Sequence, residues 1–469
     1  MKSEVIYSQL NNPQQAGTRE IIIKTSSGHS SGRMRRYYQA ALVITAAVSL
    51  VSLLFYRHEY NKLRYVLEVL NFFGKPGQKG IDRNCTKDES GFGKSDPEFD
   101  VPLSSWQRLN DDLYIYSAYG ISDKEVRAIG FGAVDADLNL LCRVYVDGKT
   151  RPVPGKFSSM IISNNGDDMS MPENPVYSGY HLICEHSEYN VPVGVSFLSK
   201  METNVKDIPI LPVKILTQDL DNNSSAVCIA PPLTKPMDRA DMVSFLNFHN
   251  LVGMNNFIVY DFGVSTAFNK GLKDMAKNPS PYWKFTYTTV PWNFPFTGIN
   301  PNIIKDVIEV DCLYRTYNKV MYVATMSWEE YIVLKYHHVV ADLLVEFGRT
   351  STIGGRYKLK TLVFCMQQKD DKRATNSTPV VLRKTHSNRN IVVKRPFYIY
   401  KPHETLNVDI IDTQEANPDF IFVNRYQYCD SEIDNSTDAY DPSILRFAGD
   451  MQNSPIYKKY VTGKLFSIE

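Results

Sequence analysis

Three oxygen-bearing side chains, Ser327, Glu329 and Glu330, follow an apolar run in the stretch VMYVATMSWEEYIVL at residues 320–334. The run is rich in β-forming residues and predicts a central strand, so these side chains would lie at its carboxyl end. A hard divalent cation takes oxygen ligands, and such a cation can bridge a diphosphate and offset charge on a leaving group. Two acids alone are a weak signal and are more typical of a solvated loop, so the neighbouring elements have to decide.

A strand, a helix and a second strand precede this stretch in the sequence. The run AVCIAP predicts the first strand, apolar residues at helical spacing up to His249 predict the helix, and NFIVYD predicts a second strand that ends at Asp261. Ligands bind at the carboxyl ends of such strands, so Tyr260 could stack on a base and Asp261 could accept a hydrogen bond from a ribose or a base. Asp261 could instead cap a helix, and His249 is more typical of a packing residue than of a ligand.

Other catalytic signatures are weak in this sequence. His337 and His338 are adjacent, and adjacent side chains on a helix point about 100° apart, so they do not share one ligand-binding face. Packing or surface roles are the simpler interpretation of both. No phosphate-binding loop, glycine-rich dinucleotide fingerprint, zinc-ligand spacing or Gly-x-Ser-x-Gly elbow is apparent.

The composition is that of a globular protein rather than of a disordered one. The chain has 469 residues, of which 43% are hydrophobic and 22% charged, and this length suggests two or three domains. Its net charge of +1 gives no indication of nucleic-acid binding. The 29 tyrosines would suit sugar stacking, but tyrosine is also an ordinary β-sheet residue.

Residues 106–220 carry short runs of alternating apolar and polar residues without helical patterns between them. The run LNLLCRVYVDGK, for example, alternates before an Asp-Gly turn. Such strands predict a small antiparallel β-sandwich-like domain ahead of an α/β domain at 221–469. Cys142 and Cys184 could staple the β domain, although the sequence does not show which cysteines pair.

The segment YYQAALVITAAVSLVSLLFY, residues 37–56, contains no charged residue. At 1.5 Å per residue it would span about 30 Å, the thickness of one bilayer core, so it predicts a single transmembrane helix. A cleaved signal peptide is the alternative, but the polar tail at residues 1–36 is long for one. The Gly- and Pro-rich residues 57–105 are typical of a stem.

The orientation of this helix is predicted by cysteines and glycosylation sequons rather than by charge. Positive charges flank the helix almost equally, so they do not decide. All seven cysteines and five Asn-x-Ser/Thr sequons lie on its carboxyl side. Together they favour a cytosolic tail and a lumenal body in which disulfides form, and seven cysteines leave at least one without an intrachain partner.

The chain from Ser117 to about Cys429 resembles glycosyltransferase family 92. The resemblance covers about two-thirds of the chain, and the order and spacing of its pieces are more specific than any single piece. The matching pieces, in order, are YIYSAYG, VCIAPPL, LNFHNLVGMNNFIVYD, PW, DCLYR, SWEEYIV and VVKRPFYIYKPHE.

This resemblance implies an α/β fold with a GT-A-like nucleotide-sugar-binding domain, preceded here by the antiparallel β domain and the N-terminal transmembrane helix. It implies a single-pass type II Golgi membrane protein that one helix holds in the lipid bilayer. The implied reaction is inverting transfer of a hexose, usually galactose from UDP-galactose, to a glycan acceptor on a glycoprotein or glycolipid, with Mn²⁺ as cofactor. No nucleic-acid partner is expected.

The motifs and the resemblance together point to eight site residues. The expected donor-binding residues are Tyr260, Asp261, Arg315 and Arg425. The expected metal ligands are Ser327, Glu329 and His403, although His403 could equally be a plain loop histidine. The expected catalytic residue is Glu330, which could take a proton from the attacking hydroxyl.

The acidic stretch departs from the family's Asp-x-Asp-Glu run. Ser327 replaces the first acid and Glu329 the second, and a serine hydroxyl is a poor metal ligand beside a carboxylate. Near Cys429, Arg425 and Gln427 stand where the family tends to have His and Arg. Arg425 could bind a diphosphate in place of the metal, because its guanidinium matches phosphate oxygens.

These departures leave three hypotheses open. The protein could be a metal-dependent hexosyltransferase, or a transferase that works without metal. It could also be a catalytically inactive relative that binds glycans or acts as a scaffold for another transferase.

Overall fold

The computed structural model describes residues 49, 106–110, 112–162, 176–199, 209–216, 224–231, 239–261, 266–279, 284–350, 354–374, 378–391, 393, 395–406, 411–429 and 438–461. The chain divides into two compact units, Met1–Asp88 and Glu89–Glu469, and all of these residues except Ser49 belong to the second. The predicted tail, transmembrane helix and stem therefore lie outside the described residues, Ser49 excepted. Within the described ranges, no helix has both the length and the apolar character needed to cross a membrane.

The first sheet contains eight strands from the front part of the second unit. They are β1 (Gln107–Arg108), β2 (Leu113–Ser122), β3 (Glu125–Ala133), β4 (Leu140–Val146), β5 (Val153–Ile161), β6 (Tyr177–Glu185), β7 (Pro192–Ser199) and β8 (Leu211–Ile215). They pair in the order β1-β2-β3-β6-β5-β4-β7-β8, and β8 also pairs in parallel with β2, so the sheet closes on itself as a barrel. A sandwich was predicted instead, because both architectures show the same alternation of apolar and polar residues.

The interior of this barrel is apolar and contains one disulfide. On β4 the buried residues alternate with more exposed ones, as predicted, and Val144 is fully buried. Cys142 on β4 and Cys184 on β6 form the disulfide. Gly155 on the intervening strand β5 leaves room for it, since a Cβ atom there would clash with both sulfur atoms.

The second sheet has an open α/β arrangement. Its strands are β9 (Ser225–Ala230), β10 (Asn256–Asp261), β11 (Thr286–Pro291), β12 (Tyr322–Ser327), β14 (Arg356–Leu359), β17 (Phe397–Tyr400) and β18 (Thr413–Glu415). The helices between its first four strands are α1 (Arg239–Leu251), α2 (Thr266–Lys277) and α3 (Pro301–Thr316). These four strands run parallel in the order β11-β10-β9-β12, and β17-β14-β18 continue the sheet. The predicted strand, helix and strand before Asp261 are confirmed.

The switch point of this sheet lies between β9 and β12. From β9 the chain adds β10 and β11 on one side and then returns to add β12 on the other. The carboxyl ends of the two strands are in register, with Ser327 beside Ala230. Ser327 therefore lies where open α/β sheets bind their ligands, as the apolar run before it predicted.

A third sheet follows the turn after Ser327. Its strands are β13 (Glu330–Leu334), β15 (Thr361–Cys365), β16 (His386–Asn388), β19 (Ile421–Gln427) and β20 (Asp438–Tyr440), in the order β13-β19-β15-β16-β20. A disulfide between Cys365 and Cys429 joins β15 to the residues just after β19. The other described helices are α4 (Val340–Thr350), α5 (Val380–Arg383), α6 (Pro402–Thr405), a 3₁₀ helix (Ser443–Phe447), α7 (Ala448–Asn453) and α8 (Pro455–Val461).

Helix α3 lies between the barrel and the second sheet. Asn300 caps its first turn. The helix contacts β9 and β12 of the second sheet and also β3 and β6 of the barrel. A disulfide between Cys228 and Cys312 ties it to β9, and Gly179 on β6 leaves space for Val307 of the helix. Side chains of α3 can therefore reach both layers.

Candidate active site

Glu330 lies just beyond the carboxyl end of β12 and is completely buried. Its Oε2 atom accepts hydrogen bonds from Nζ of Lys305 on α3 at 2.5 Å and from the backbone N–H of Ser327 at 2.8 Å. Its Oε1 atom accepts from Arg425 on β19, at 2.6 Å from Nη2 and 3.2 Å from Nε. One carboxylate thus holds two cations, and Glu330 brings two other expected site residues, Ser327 and Arg425, together with Lys305. We refer to Lys305, Ser327, Glu330 and Arg425 as the Glu330 cluster.

The surroundings of Glu330 keep it ionised. Burial raises the pKa of its carboxyl group, but Lys305, Arg425 and the hydrogen bonds from Lys305 and Ser327 outweigh burial and lower the pKa to about 2. A general base works best with a pKa near the working pH and a lone pair that can take a proton. Glu330 has a much lower pKa, and both of its oxygens are already bonded. The sequence led us to expect a general base at Glu330. The geometry instead favours a carboxylate that positions two cations.

We expect the protein to lose stability in acid because the Glu330 carboxylate of this cluster becomes protonated. The pKa of Glu330 is about 2 in the folded protein and 4.5 ordinarily, so its contribution is complete above pH 4.5 and is lost as the pH falls through 2. We expect this group to lower the free energy of unfolding by about 3 kcal/mol across that window. Urea denaturation at neutral pH and in steps down to about pH 2 measures the effect, with Glu330→Gln for comparison. If the free energy of unfolding fell equally with pH in the wild-type protein and in Glu330→Gln, the prediction would be contradicted.

The described residues do not fit the Mn²⁺ site that the resemblance implied. Ser327 is fully buried and its Oγ atom has no hydrogen-bond partner among them, while Glu329 is buried beside it in the turn. Glu330 is occupied by Lys305 and Arg425. Across the part of the chain that the structure describes, no group of three or more His, Cys, Asp or Glu residues could hold a metal ion.

His403 lies toward the opposite edge of the second sheet from Ser327. Strand β17 runs antiparallel to β12 with Tyr400 beside Val323, so α6, which follows β17, lies toward the amino end of β12. Four residues of extended strand, about 13 Å, separate Val323 from Ser327. On α6, Nε2 of His403 lies 3.4 Å from Oε1 of Glu404. The structure therefore does not bring His403 to the other expected metal ligands.

Tyr260 and Arg315, both expected to bind the donor, meet on Asp311 of α3. Oδ2 of Asp311 accepts a hydrogen bond from the Tyr260 hydroxyl at 2.6 Å and another from Nε of Arg315. Oδ1 accepts from the hydroxyls of Ser117 at 2.5 Å and Tyr119 at 2.6 Å, both on β2 of the barrel. The four donors thus come from the barrel, from β10 and from α3 itself.

The Asp311 carboxylate is fully buried and charged. Burial raises its pKa, but Arg315, Lys214 and the hydroxyl donors outweigh burial, so the pKa lies below its ordinary value. Burial raises the pKa of Tyr260 well above its ordinary value, so its hydroxyl keeps its proton and donates it to Asp311. The Tyr260 hydroxyl is therefore engaged inside the protein, where it joins β10 to α3 instead of facing a ligand.

Asp261 ends β10 at the same edge of the sheet as Ser327. Its Oδ2 atom accepts a hydrogen bond from Nδ2 of Asn269 on α2 at 2.9 Å, and Asn269 in turn accepts one from the Tyr287 hydroxyl at 2.7 Å. Helix α2 begins at Thr266, so Asp261 does not occupy the cap position of that helix. Asp261 is only partly buried at this edge, which is compatible with the donor-binding role expected of it.

The remaining histidines named from the sequence pack or lie near the surface. His249 is fully buried, and Nδ1 donates to the Phe245 carbonyl at 2.9 Å while Nε2 accepts from the Ile332 N–H at 3.4 Å. Burial lowers the pKa of His249 to about 3, so the ring stays neutral. Nε2 of His337 lies 2.9 Å from the exposed carboxylate of Glu346.

A basic cleft opens beside the third sheet, and the start of the VVKRPFYIYKPHE piece contributes to its lining. It encloses about 980 Å³ and is lined by residues of β14, β15, β16 and β20 and of the segment before β17. Its charged lining residues are Lys358, Lys360, Arg389, Arg395 and Asp441. Arg395 is buried and pairs with Asp306 at 2.6 Å and Glu309 at 2.9 Å, both on α3. The same helix thus supports both the cleft and the Glu330 cluster.

The parallel strands, the Glu330 cluster and the cleft all fall within one part of the chain. Residues 223–444 match glycosyltransferase family 92. This segment makes up just under half of the chain and contains every residue expected from the sequence to form the site. The match supports the family, and with it glycosyl transfer.

Similarity to other known proteins carries no functional argument. A search of curated proteins finds no match. Among solved structures, the chain is similar to a cyclomaltodextrinase at 9% identity, over 33% of this chain and 33% of that one, with a TM-score of 0.15. The chain therefore spans about a third of that protein's length, and so weak a likeness informs neither fold nor function.

Proposed function

We propose that this protein is a hexosyltransferase that moves a sugar from a UDP-sugar onto a glycan. The donor we favour is UDP-galactose, with inversion at the sugar carbon, as the family 92 resemblance implies. The observation that carries the proposal is the carboxyl edge of β9, β10 and β12, where Asp261 and the Glu330 cluster lie within the segment that matches the family. Ligands bind at this edge in open α/β sheets.

Asp261 and Ser327 are the side chains that we assign to donor binding. The partly exposed carboxylate of Asp261 can accept from a ribose hydroxyl or a base N–H. The Ser327 Oγ atom lies at the switch point without a partner within the described ranges. It is fully buried, so in this proposal its neighbours move when the donor binds and a phosphate oxygen then receives its hydrogen bond. Tyr260 and Arg315 contribute indirectly, because both are bound to Asp311 behind the edge.

We propose that the positive charges of Lys305 and Arg425 attract the donor diphosphate. With one carboxylate between two cations, the Glu330 cluster keeps a net positive charge. A fixed cation can stabilise the charge that develops on a leaving diphosphate, and a guanidinium matches phosphate oxygens. In this proposal Glu330 is a positioning residue that holds both cations. The resemblance implies a requirement for Mn²⁺, whereas two fixed cations imply UDP binding without it, and titration of UDP with and without the metal distinguishes the two.

The location that we propose is the Golgi lumen, with residues 37–56 as the membrane anchor. The six cysteines among the described residues form three disulfides. Such a set is typical of proteins that fold in an oxidising compartment. Cys85, the seventh cysteine, lies outside the described residues.

The second candidate function is a catalytically inactive protein that binds glycans or serves as a scaffold. Its support is the Glu330 cluster itself, in which the carboxylate expected to act as a base is engaged by two cations. If Glu330 cannot act as a base, the protein could keep the fold and a saccharide-binding surface but would transfer no sugar. The two functions differ in whether the donor site binds a nucleotide.

Calorimetric titration of UDP into the purified full chain, with and without Mn²⁺, distinguishes these functions. We expect binding in the absence of metal, with a Kd that Mn²⁺ changes by less than about threefold, or roughly 0.7 kcal/mol. Ser327→Ala should weaken UDP binding by about 3–10-fold, because one hydrogen bond to a charged phosphate is lost. Assays of sugar transfer from a panel of UDP-sugars then identify the donor.

Ser225→Ala is the matched control for this experiment. Ser225 is also a buried serine whose Oγ has no partner in the described part of the chain, but it lies at the amino end of β9, so UDP affinity should not change. Binding that requires Mn²⁺ would mean that the acidic stretch forms a metal site after all. No binding by the folded protein would favour the scaffold function.

A further inference from the structure

The basic cleft carries charge that the protein leaves uncompensated. Arg395 is neutralised by Asp306 and Glu309. Lys358 pairs with the exposed Glu415 at 3.5 Å, and such surface pairs contribute little. Two further lining residues, Lys360 and Arg389, are exposed and form no ion pair within the described ranges. The lining is therefore strongly positive, with Asp441 as its acidic member.

The position of the cleft places it next to the Glu330 cluster. In the third sheet Glu330 pairs with Arg425, Arg425 with Val363, and Val363 with Asn388. Val363 and Asn388 line the cleft, and at the usual strand spacing their backbones lie roughly 5 and 10 Å from that of Arg425. The cleft also lies on the β17 and β14 side of β12, away from β10 and Asp261. A ligand in it would approach the donor site from the other side.

We propose that this cleft is the acceptor subsite and that it binds an anionic saccharide, one that carries a carboxylate, sulfate or phosphate group. The inference rests on the proposed function, because an acceptor must lie beside the donor. The volume of about 980 Å³ is that of a small-ligand site. Ser387 and Asn388 can bond sugar hydroxyls, and the half-exposed Tyr440 ring offers an apolar face. Lys360 and Arg389 would select the anionic group.

Saccharide binding without donor tests this site independently of catalysis. The purified full chain is titrated with sulfated, phosphorylated, uronate-bearing and uncharged forms of one galactose-containing disaccharide. We expect at least one anionic form to bind about tenfold more tightly than the uncharged form. The double variant Lys360→Gln/Arg389→Gln should lose that preference. Lys369→Gln/Lys372→Gln, which removes two exposed charges outside the cleft, should keep it.

Three outcomes overturn the inference, and a fourth supports the site but not the enzyme. Equal affinity for all forms, or an anionic preference that survives in Lys360→Gln/Arg389→Gln, overturns it. UDP affinity should stay within about twofold in that variant, and a tenfold loss would place the donor diphosphate in the cleft and overturn the acceptor assignment. Charge-dependent saccharide binding by a protein that transfers no sugar would support the anionic-saccharide site and count against the proposed enzyme.

Discussion

Replacing Glu330 with alanine should lower the free energy of unfolding by about 3–5 kcal/mol, because it leaves two buried cations without their carboxylate. Lys305 and Arg425 both contact Glu330 within 2.6 Å, and neither side chain is more than 9% exposed. Without Glu330 the two cations would also repel each other in a medium that screens charge poorly. Urea denaturation at neutral pH, followed by tryptophan fluorescence, measures the loss.

Two further variants make this result specific to the ion cluster. Glu346→Ala removes a carboxylate that is 62% exposed and paired with His337, so it should cost less than about 1 kcal/mol. Adding Lys305→Met to Glu330→Ala should recover part of the loss, because it removes one of the stranded cations. A Glu330→Ala protein as stable as Glu346→Ala would contradict the inferred burial of the cluster.

Replacing Asp311 with alanine should cost a similar amount, about 3–5 kcal/mol, for a related reason. The change leaves the Arg315 guanidinium without its carboxylate and three buried hydroxyls, on Ser117, Tyr119 and Tyr260, without their acceptor. Thermal and urea denaturation both measure the loss. Any folded fraction should still bind UDP, since none of these groups is assigned to the nucleotide.

Asp419→Ala is the comparison for Asp311→Ala. Its side chain is 81% exposed and its nearest cation, Lys335, is 3.8 Å away, so the change should be nearly neutral. Tyr260→Phe isolates one of the four donors to Asp311 and should cost about 1 kcal/mol. If Tyr260→Phe abolished UDP binding while the protein stayed folded, the tyrosine would contact the nucleotide as the sequence suggested.

The sequence predicts four elements of the second sheet, β9, α1, β10 and β12, because each is specified by local periodicity. The strands that end at Asp261 and Ser327 are short apolar runs, and the helix between the first two strands shows apolar residues at helical spacing. Their carboxyl ends follow once the strands are known to be parallel. Local sequence patterns therefore place Asp261 and Ser327 each at the carboxyl end of a strand, and the parallel pairing in the structure brings these ends to one edge of the sheet.

The partners of Glu330 could not be predicted in the same way. Lys305 lies 25 positions before it and Arg425 lies 95 positions after it, on elements that meet only in the folded chain. A carboxylate within a metal site and a carboxylate between two cations look alike in sequence. The location of His403 could not be predicted either, because a sequence motif does not show at which edge of the sheet its residues will lie.

The cleft escaped prediction because no single segment contains it. Its basic residues come from β14, from the residue after it and from the two ends of the segment between β16 and β17. In the sequence they lie in separate short stretches, and a Lys or Arg there is ordinarily a solvated surface residue. The pairing of strands brings them together.

The Asp311 contacts bear on how this protein could have been assembled in evolution. Ser117 and Tyr119 belong to the barrel, Tyr260 to the α/β sheet, and the acid that joins them to the helix between the two. A barrel taken from another protein would have to present the same two hydroxyls at the same spacing, or leave the buried Oδ1 atom of Asp311 without donors. These contacts make the barrel and the sheet parts of one unit, in which neither part can be exchanged freely for a foreign module.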